Sequence, residues 1–292
     1  MSAYKIYKVN KVGLGVITCN RKDFYLKCIE SLEQCSSVID ELVTVNDGKS
    51  YGSGLDHSTK VGGHLIQHDT NKGVGVSKND AMQYLLDKGC EHIFLIEDDI
   101  IVKDKNVFDK YITTAQTSGI WHLMFGYHGP ANKGNQSYGQ PQPRLVIDYD
   151  NDTKVALNRH CVGAFCYYHK NLLDDVGLMD DQYVNAWEHL DHSYMLVKKG
   201  YIPAYWWWPD VANSYDYLDE VACSEDNSSI RWEDAENNIP KKDWQENIQK
   251  GAEHFRLKHG YIPVTVPDSS PEEIVQNLKA ISKKYKGETC TT

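Results

Sequence analysis

Three carboxylates in a row interrupt an apolar run in IFLIEDDIIV, residues 93 to 102, where Glu97, Asp98 and Asp99 stand between Ile96 and Ile100. Adjacent acids repel one another, and apolar flanks remove the water that would screen them. Either the chain leaves the core at Glu97 or a cation sits there. The cost of burying unpaired charge favours the cation, and a hard divalent metal bound by carboxylate oxygens is the chemistry such a cluster serves. A second set lies in AWEHLDHS, where Glu188, Asp191 and His192 fall at i, i+3 and i+4 and so share one face of a helix. A carboxylate there can take a proton from a hydroxyl, and burial would raise its pKa toward working pH. The competing reading is a helix start that simply favours acids.

The elements that must position these groups follow from hydrophobic periodicity. VGLGVIT (12 to 18) reads as a strand. The segment KDFYLKCIESLEQC reads as a helix with Phe24, Cys28 and Leu32 at helical spacing and Asn20 as its cap. ELVTV (41 to 45), closed by the turn signal NDGKS, and HLIQH (64 to 68) are further strands. A helix over 77–88 carries Ala81, Met82, Leu85 and Leu86 inward, and the acidic stretch forms the fourth strand. Strands alternating with helices predict a parallel, doubly wound α/β sheet whose ligands gather at the carboxyl ends of the strands. That edge collects Thr18, Asn46, Asp47 and the three acids. Residues 126–144, dense in Gly, Pro, Asn and Gln, predict a long loop suited to binding or lid duty. Beyond it VALNR, VGAFCYY and AYWWWP (204 to 209) read as strands. HKNLLDDVGL and EHLDHSYMLVKKGY read as helices, the latter with Leu190, Tyr194 and Val197 on one side. From Asp243 to Tyr285 the pattern is helix, Pro-containing link and a last helix capped by Ser269 or Ser270 ahead of Pro271.

The 292 residues are 41% hydrophobic and 25% charged, ordinary for a globular chain with a sizeable core. A formal charge of -10 argues against a surface built for nucleic acid or anionic membrane and suits a neutral, polyhydroxylated partner. No run approaches the ~20 apolar residues of a membrane helix, and the lysine-bearing N-terminus has no apolar block of signal-peptide length. The expectation is a soluble, cytoplasmic protein. Its eight cysteines include no C-x-x-C pair and are expected to be free thiols.

Taken in order, VITCNR, VNDGKS, NKGVGVSKN, LIEDD and the stretch from VGAFCYY through AWEHLDHS to KKGY resemble the signatures of family 2 glycosyltransferases and their relatives of GT-A fold. The resemblance implies a GT-A domain over 1–215, with a donor half at 10–105 and an acceptor half at 120–215, followed by a helical extension over 216–292. It implies a nucleotide-sugar donor (a UDP-sugar first), a divalent cation (Mn2+ or Mg2+), and a glycan or other hydroxyl acceptor. The metal falls to Asp99, with His192 as a further ligand and His254 or His259 as weaker candidates. Asp98 faces the ribose or the metal's water shell, and Glu97 the opposite side of the pleat. Thr18 and Arg21 lie at a helix start that favours anions. Asn46 and Asp47 occupy the base-reading turn, and Lys78 stands where relatives carry an arginine toward phosphate. Glu188 is the implied base, with Asp191 as its alternative, in a transfer with inversion.

Two other classes share parts of this pattern. A nucleotidyltransferase would open on a glycine-rich loop followed by a basic residue, which VITCNRKD lacks. A non-catalytic glycan or nucleotide binder would keep the fold without turnover. Among Trp206, Trp207 and Trp208, alternation on a strand would expose at least one for stacking on a sugar face.

Overall fold

The computed structural model describes residues 11–52, 63–136, 138–221 and 241–285. Residues 1–10, Cys223 and Cys290 lie outside them, and with them the readings of the N-terminus and of those two thiols. In chain order the elements are β1 (Val12–Thr18), α1 (Lys22–Leu32), β2 (Glu41–Asn46), β3 (His64–Gln67), α2 (Val74–Asp87), β4 (His92–Glu97), β5 (Ile100–Val102), α3 (Val107–Ser118), β6 (His122–Met124) and β7 (Leu145–Asp148). They continue as β8 (Lys154–Asn158), β9 (Phe165–His169), α4 (Lys170–Val176), α5 (Glu188–Lys198), β10 (Trp208–Val211), β11 (Leu218–Glu220), α6 (Lys241–His259) and α7 (Pro271–Tyr285).

A central sheet runs β3-β2-β1-β4-β9-β6. Its first four strands are mutually parallel, whereas β9 is antiparallel to both β4 and β6. Helices cover both faces, so β1 is buried along its whole length and reads as a continuous apolar run. Helix α1 buries Tyr25, Cys28, Ile29 and Leu32, and α2 buries Ala81, Met82 and Leu85 against β1 and β2. The register sets Thr18 opposite Asn46 and Ile17 opposite Glu97, so three parallel strands end together. Two small sheets flank the central one: β10-β8-β7, packed against β6, and β11-β5, packed against α1.

Several local expectations change. The fourth strand stops at Glu97; Asp98 and Asp99 form a turn, and β5 leaves the central sheet to pair with β11. Helix α2 starts at Val74, three residues before the expected start. Asn20 does not cap α1: it sits at φ 56°, and its side-chain oxygen accepts the Lys49 amide at 2.8 Å instead. The AYWWWP strand shifts to Trp208–Val211, because Trp206 adopts φ 71° and the chain turns there. At the start of α7, the Glu273 amide donates to Ser270 Oγ and the Ser270 amide to the Glu273 carboxylate, a reciprocal cap.

The C-terminal helices pack on the sheet domain. Helix α7 lies on α3, and α6 is pinned to α5 by an ion pair from Lys258 and a hydrogen bond from the His259 ring, both to Asp191. Strand β11 lies beyond residue 215, where the sequence puts its boundary, yet pairs with β5 directly. Among the described residues, Cys19, Cys28, Cys35, Cys90, Cys161 and Cys166 are free thiols, and no helix is long and apolar enough to cross a membrane.

Candidate active site

The strand ends open into a cavity of about 380 Å³. Thr18, Arg21, Asp47 and Glu97 line it from the parallel half of the sheet; Gly163, Glu188 and His189 line it from the other side. Asp98 and Asp99 sit just behind, buried at 0% and 3% exposure, so the acidic turn enters the protein interior.

Arg21 answers the charge of that turn. Its guanidinium bridges both acids, one nitrogen on Asp98 and another 3.1 Å from Asp99 Oδ2. Thr18 Oγ1 donates to Asp98 Oδ2 at 2.7 Å, and the Tyr51 hydroxyl ties Thr18 to the Arg21 amide. Burial would lift Asp99, but Arg21 and His128 outweigh it and hold the carboxyl well below its ordinary range. Asp98 moves the other way, to about 6: burial dominates the pull of Arg21, and the Asp99 charge adds to the rise.

His128 stands beside this turn and was not singled out by the sequence. Its Nε2 is 3.5 Å from Asp99 Oδ2 and 3.8 Å from Glu220 Oε2, too far for good hydrogen bonds. That nitrogen is buried without a hydrogen-bond partner. Asp210 fixes the loop that carries it, accepting the Gly126 amide at 3.0 Å and the Tyr111 hydroxyl at 2.6 Å. Among the described residues no three of His, Cys, Asp and Glu form a ready-made metal cage. Asp99, His128 and Glu220 lie together beside the acidic turn, and this set fits a divalent cation in kind: two carboxylates and an imidazole nitrogen without a hydrogen-bond partner.

Lys78 is neither a solvated lysine nor free for phosphate. It is 1% exposed, and its Nζ lies 2.8 Å from Glu97 Oε1, 3.1 Å from Glu188 Oε1 and 3.1 Å from the Gly163 carbonyl. Burial would lower its pKa, but the two glutamates outweigh that and raise it. Glu188 is the reciprocal case: burial pushes up, Lys78 and His189 pull harder, and its pKa falls well below the ordinary value. The upward shift expected of a buried base is therefore reversed at this residue.

Asn46 and Asp47 serve the turn that follows β2. Asn46 bonds Gln67, the Lys49 carbonyl and the Gly48 amide. Asp47 accepts the Lys72 and Gly73 amides at 2.7 and 2.8 Å and the His68 ring at 2.6 Å. Gly73 is required where it stands, at φ 96° with the Val184 carbonyl only 2.1 Å from where a Cβ would lie. Its close contact is with Val184, in the segment that leads into α5.

Two expected site residues point elsewhere. Asp191 is held by Lys258 and His259, each at 2.7 Å, and by the Tyr183 hydroxyl. His192 donates from Nε2 to the Gly177 carbonyl at 2.9 Å and packs edge-on to Tyr168. Neither lines the cavity. His192 is thus spent on packing α5 against the chain after α4. The weaker metal candidates are also engaged: His254 meets Asp180 and His259 meets Asp191. Trp207 and Trp208 are core residues, and half-buried Trp206 bonds the Val266 carbonyl.

No protein-family model matches the chain. It is 26% identical over 200 residues to the uncharacterized glycosyltransferase R363 of Acanthamoeba polyphaga mimivirus, a match covering 68% of this chain and 70% of that one. Among solved structures it is similar to S. aureus TarS 1-349 in complex with UDP, at TM-score 0.50 and 13% identity over 95% of this chain and 72% of that one. A second S. aureus TarS structure gives TM-score 0.53 at 13% identity over 96% of this chain and 44% of that one. GalNAc-T7 with UDP, GalNAc and Mn2+ gives 0.51 at 11% identity, over 65% of this chain and 41% of that one. By its strand order and these likenesses, the chain has the GT-A fold, and the curated relative it resembles in sequence is named a glycosyltransferase.

Proposed function

We propose that the protein transfers a sugar from a nucleotide-sugar donor, a UDP-sugar first, to a hydroxyl of a glycan or other polyol, with inversion and with a divalent cation. The observation that carries this reading is one cavity lined by Thr18, Arg21, Glu97 and His128 on one side, with the acidic turn behind them, and by Glu188 with His189 on the other. An anion-facing edge and a proton-accepting pair thus meet across a space fit for a small donor.

Asp99, His128 and Glu220 would hold Mn2+ or Mg2+, which when bound neutralises the departing diphosphate. Arg21 and Thr18 fix the two aspartates against their mutual repulsion, and Arg21 adds positive charge at the donor end. Asp47 holds the amides of the NKG turn, which shapes the donor side of the cavity. Lys78 and His189 keep Glu188 ionised, and Glu97 shares the Lys78 ammonium, so a charged pair stands at the start of α5 where the acceptor's proton would leave. The TarS and GalNAc-T7 complexes with UDP support the choice of nucleotide.

The test is release of nucleotide diphosphate from a panel of UDP- and GDP-sugars with mono- and oligosaccharide acceptors, with and without Mn2+. The reading expects acceptor-dependent release that needs the cation and is lost in Asp99→Ala. A binder without turnover would release none under any condition.

A further inference from the structure

The residue after Glu188 lies better placed for proton transfer than Glu188 itself. His189 lines the cavity, and 24% of its side chain is exposed against 3% for Glu188. Its Nδ1 is 3.0 Å from Glu188 Oε1. An ionised carboxylate only accepts, so Nδ1 carries the proton, and in the neutral ring Nε2 is the basic nitrogen. Among the described residues Nε2 has no hydrogen-bond partner.

The ring is also seated. A Cβ on Gly163 would lie 2.7 Å from His189 Cγ and 2.9 Å from Nδ1, so the imidazole lies directly over that glycine. The Gly163 carbonyl is held in turn by Lys78, the same ammonium that pairs with Glu188. Lysine, glutamate, imidazole and glycine therefore close one cluster in which only the imidazole reaches the cavity with a free nitrogen. Glu188 is a poor proton acceptor by comparison, since Lys78 and His189 stabilise its charge. Imidazole is the side chain suited to accepting a proton near neutral pH.

We propose that His189, oriented by Glu188, is the general base of the transfer; this rests on the glycosyltransferase reading above. The acceptor O–H proton moves to His189 Nε2 as the acceptor oxygen bonds the anomeric carbon. The bond from that carbon to the donor phosphate oxygen breaks, and its electron pair leaves with the nucleoside diphosphate. The imidazolium then returns its proton to water. Glu188 is a positioning residue in this scheme.

The experiment uses the full chain with the best donor and acceptor found. His189→Ala is expected to lower turnover by about 10²–10⁴-fold. It should keep the Mn2+-dependent rise in melting temperature with UDP, and added imidazole should restore part of the rate. The wild-type rate should rise with pH through an ionisation that is missing in His189→Ala. Groups facing the pair are Lys78 from α2, Glu97 from β4, His122 from β6, and Cys161 from the segment before β9. Gly163→Ala, which crowds the ring, should slow wild-type transfer and add nothing in the His189→Ala background. Wild-type turnover in His189→Ala overturns the assignment. So does a loss that imidazole leaves untouched with the pH limb intact, which would return the role to Glu188. A wild-type chain that binds UDP and Mn2+ yet releases no diphosphate from any donor overturns the transfer reading itself, a result distinct from either.

Discussion

Lys78 Nζ lies 3.1 Å from Glu188 Oε1, and the same ammonium reaches Glu97 at 2.8 Å. One buried cation thereby joins the strand that ends in the acidic turn to the helix that carries the proton-accepting pair. Its loss leaves Glu188 enclosed with, among the described residues, His189 as its remaining ion-pair partner.

Lys78→Met is expected to destabilise the fold by about 3–5 kcal/mol, the cost of an uncompensated buried charge. Lys78→Met with Glu188→Gln should recover part of that loss. Urea unfolding of wild type and the two variants measures it, and a single mutant within ~0.5 kcal/mol of wild type would contradict the pairing.

Asp191→Asn should behave as a docking mutation. Asp191 is 1% exposed and meets Lys258 and His259 of α6, so its neutralisation leaves Lys258 with Asp180 alone as counter-charge and weakens the hydrogen bond to the His259 ring. Stability should fall by a few kcal/mol while transfer per folded molecule stays within about threefold of wild type. A collapse of turnover with unchanged melting temperature would restore Asp191 to the reaction.

Acid should weaken the fold through two enclosed histidines. Burial, with His169 adding repulsion, lowers His92 to about 4, and burial lowers His122 to about 3. Unfolded, each would protonate near ~6.5. The unfolded chain thus binds more protons below that pH, and the stability these residues contribute is full above about 6.5 and lost as pH falls toward their folded values. The loss at its limit is on the order of 3 kcal/mol for His92 and about 5 kcal/mol for His122. Unfolding free energies at pH 7 and pH 5 should differ less in His92→Asn than in wild type; an unchanged difference would contradict the assignment.

The sequence carried the strands and the edge, because parallel strands buried on both faces must be continuous apolar runs and their ends must be polar. VGLGVIT and ELVTV show this plainly. What it could not carry were contacts made by residues far apart in the chain. Lys78 reads as a surface lysine until β4 and α5 bring two glutamates around it. Asp191 and His192 share a helical face with Glu188, yet side chains on one helix face can meet different neighbours, and α6 and the Gly177 carbonyl claim these two. His128 sits in a Gly- and Pro-rich loop without periodicity, and long-range anchors, Gly126 to Asp210 and Gly129 to Glu220, bring it to Asp99. The turn at Asp98 and Asp99 is hidden because Ile100, Ile101 and Val102 continue the apolar pattern into a different sheet.

The most direct test is the melting temperature of the wild-type chain and of Asp99→Ala with UDP, with and without Mn2+. The account predicts a rise of several degrees for wild type only when UDP and Mn2+ are both present, and none for Asp99→Ala. An equal rise without the cation, or an equal rise in both proteins, would contradict it.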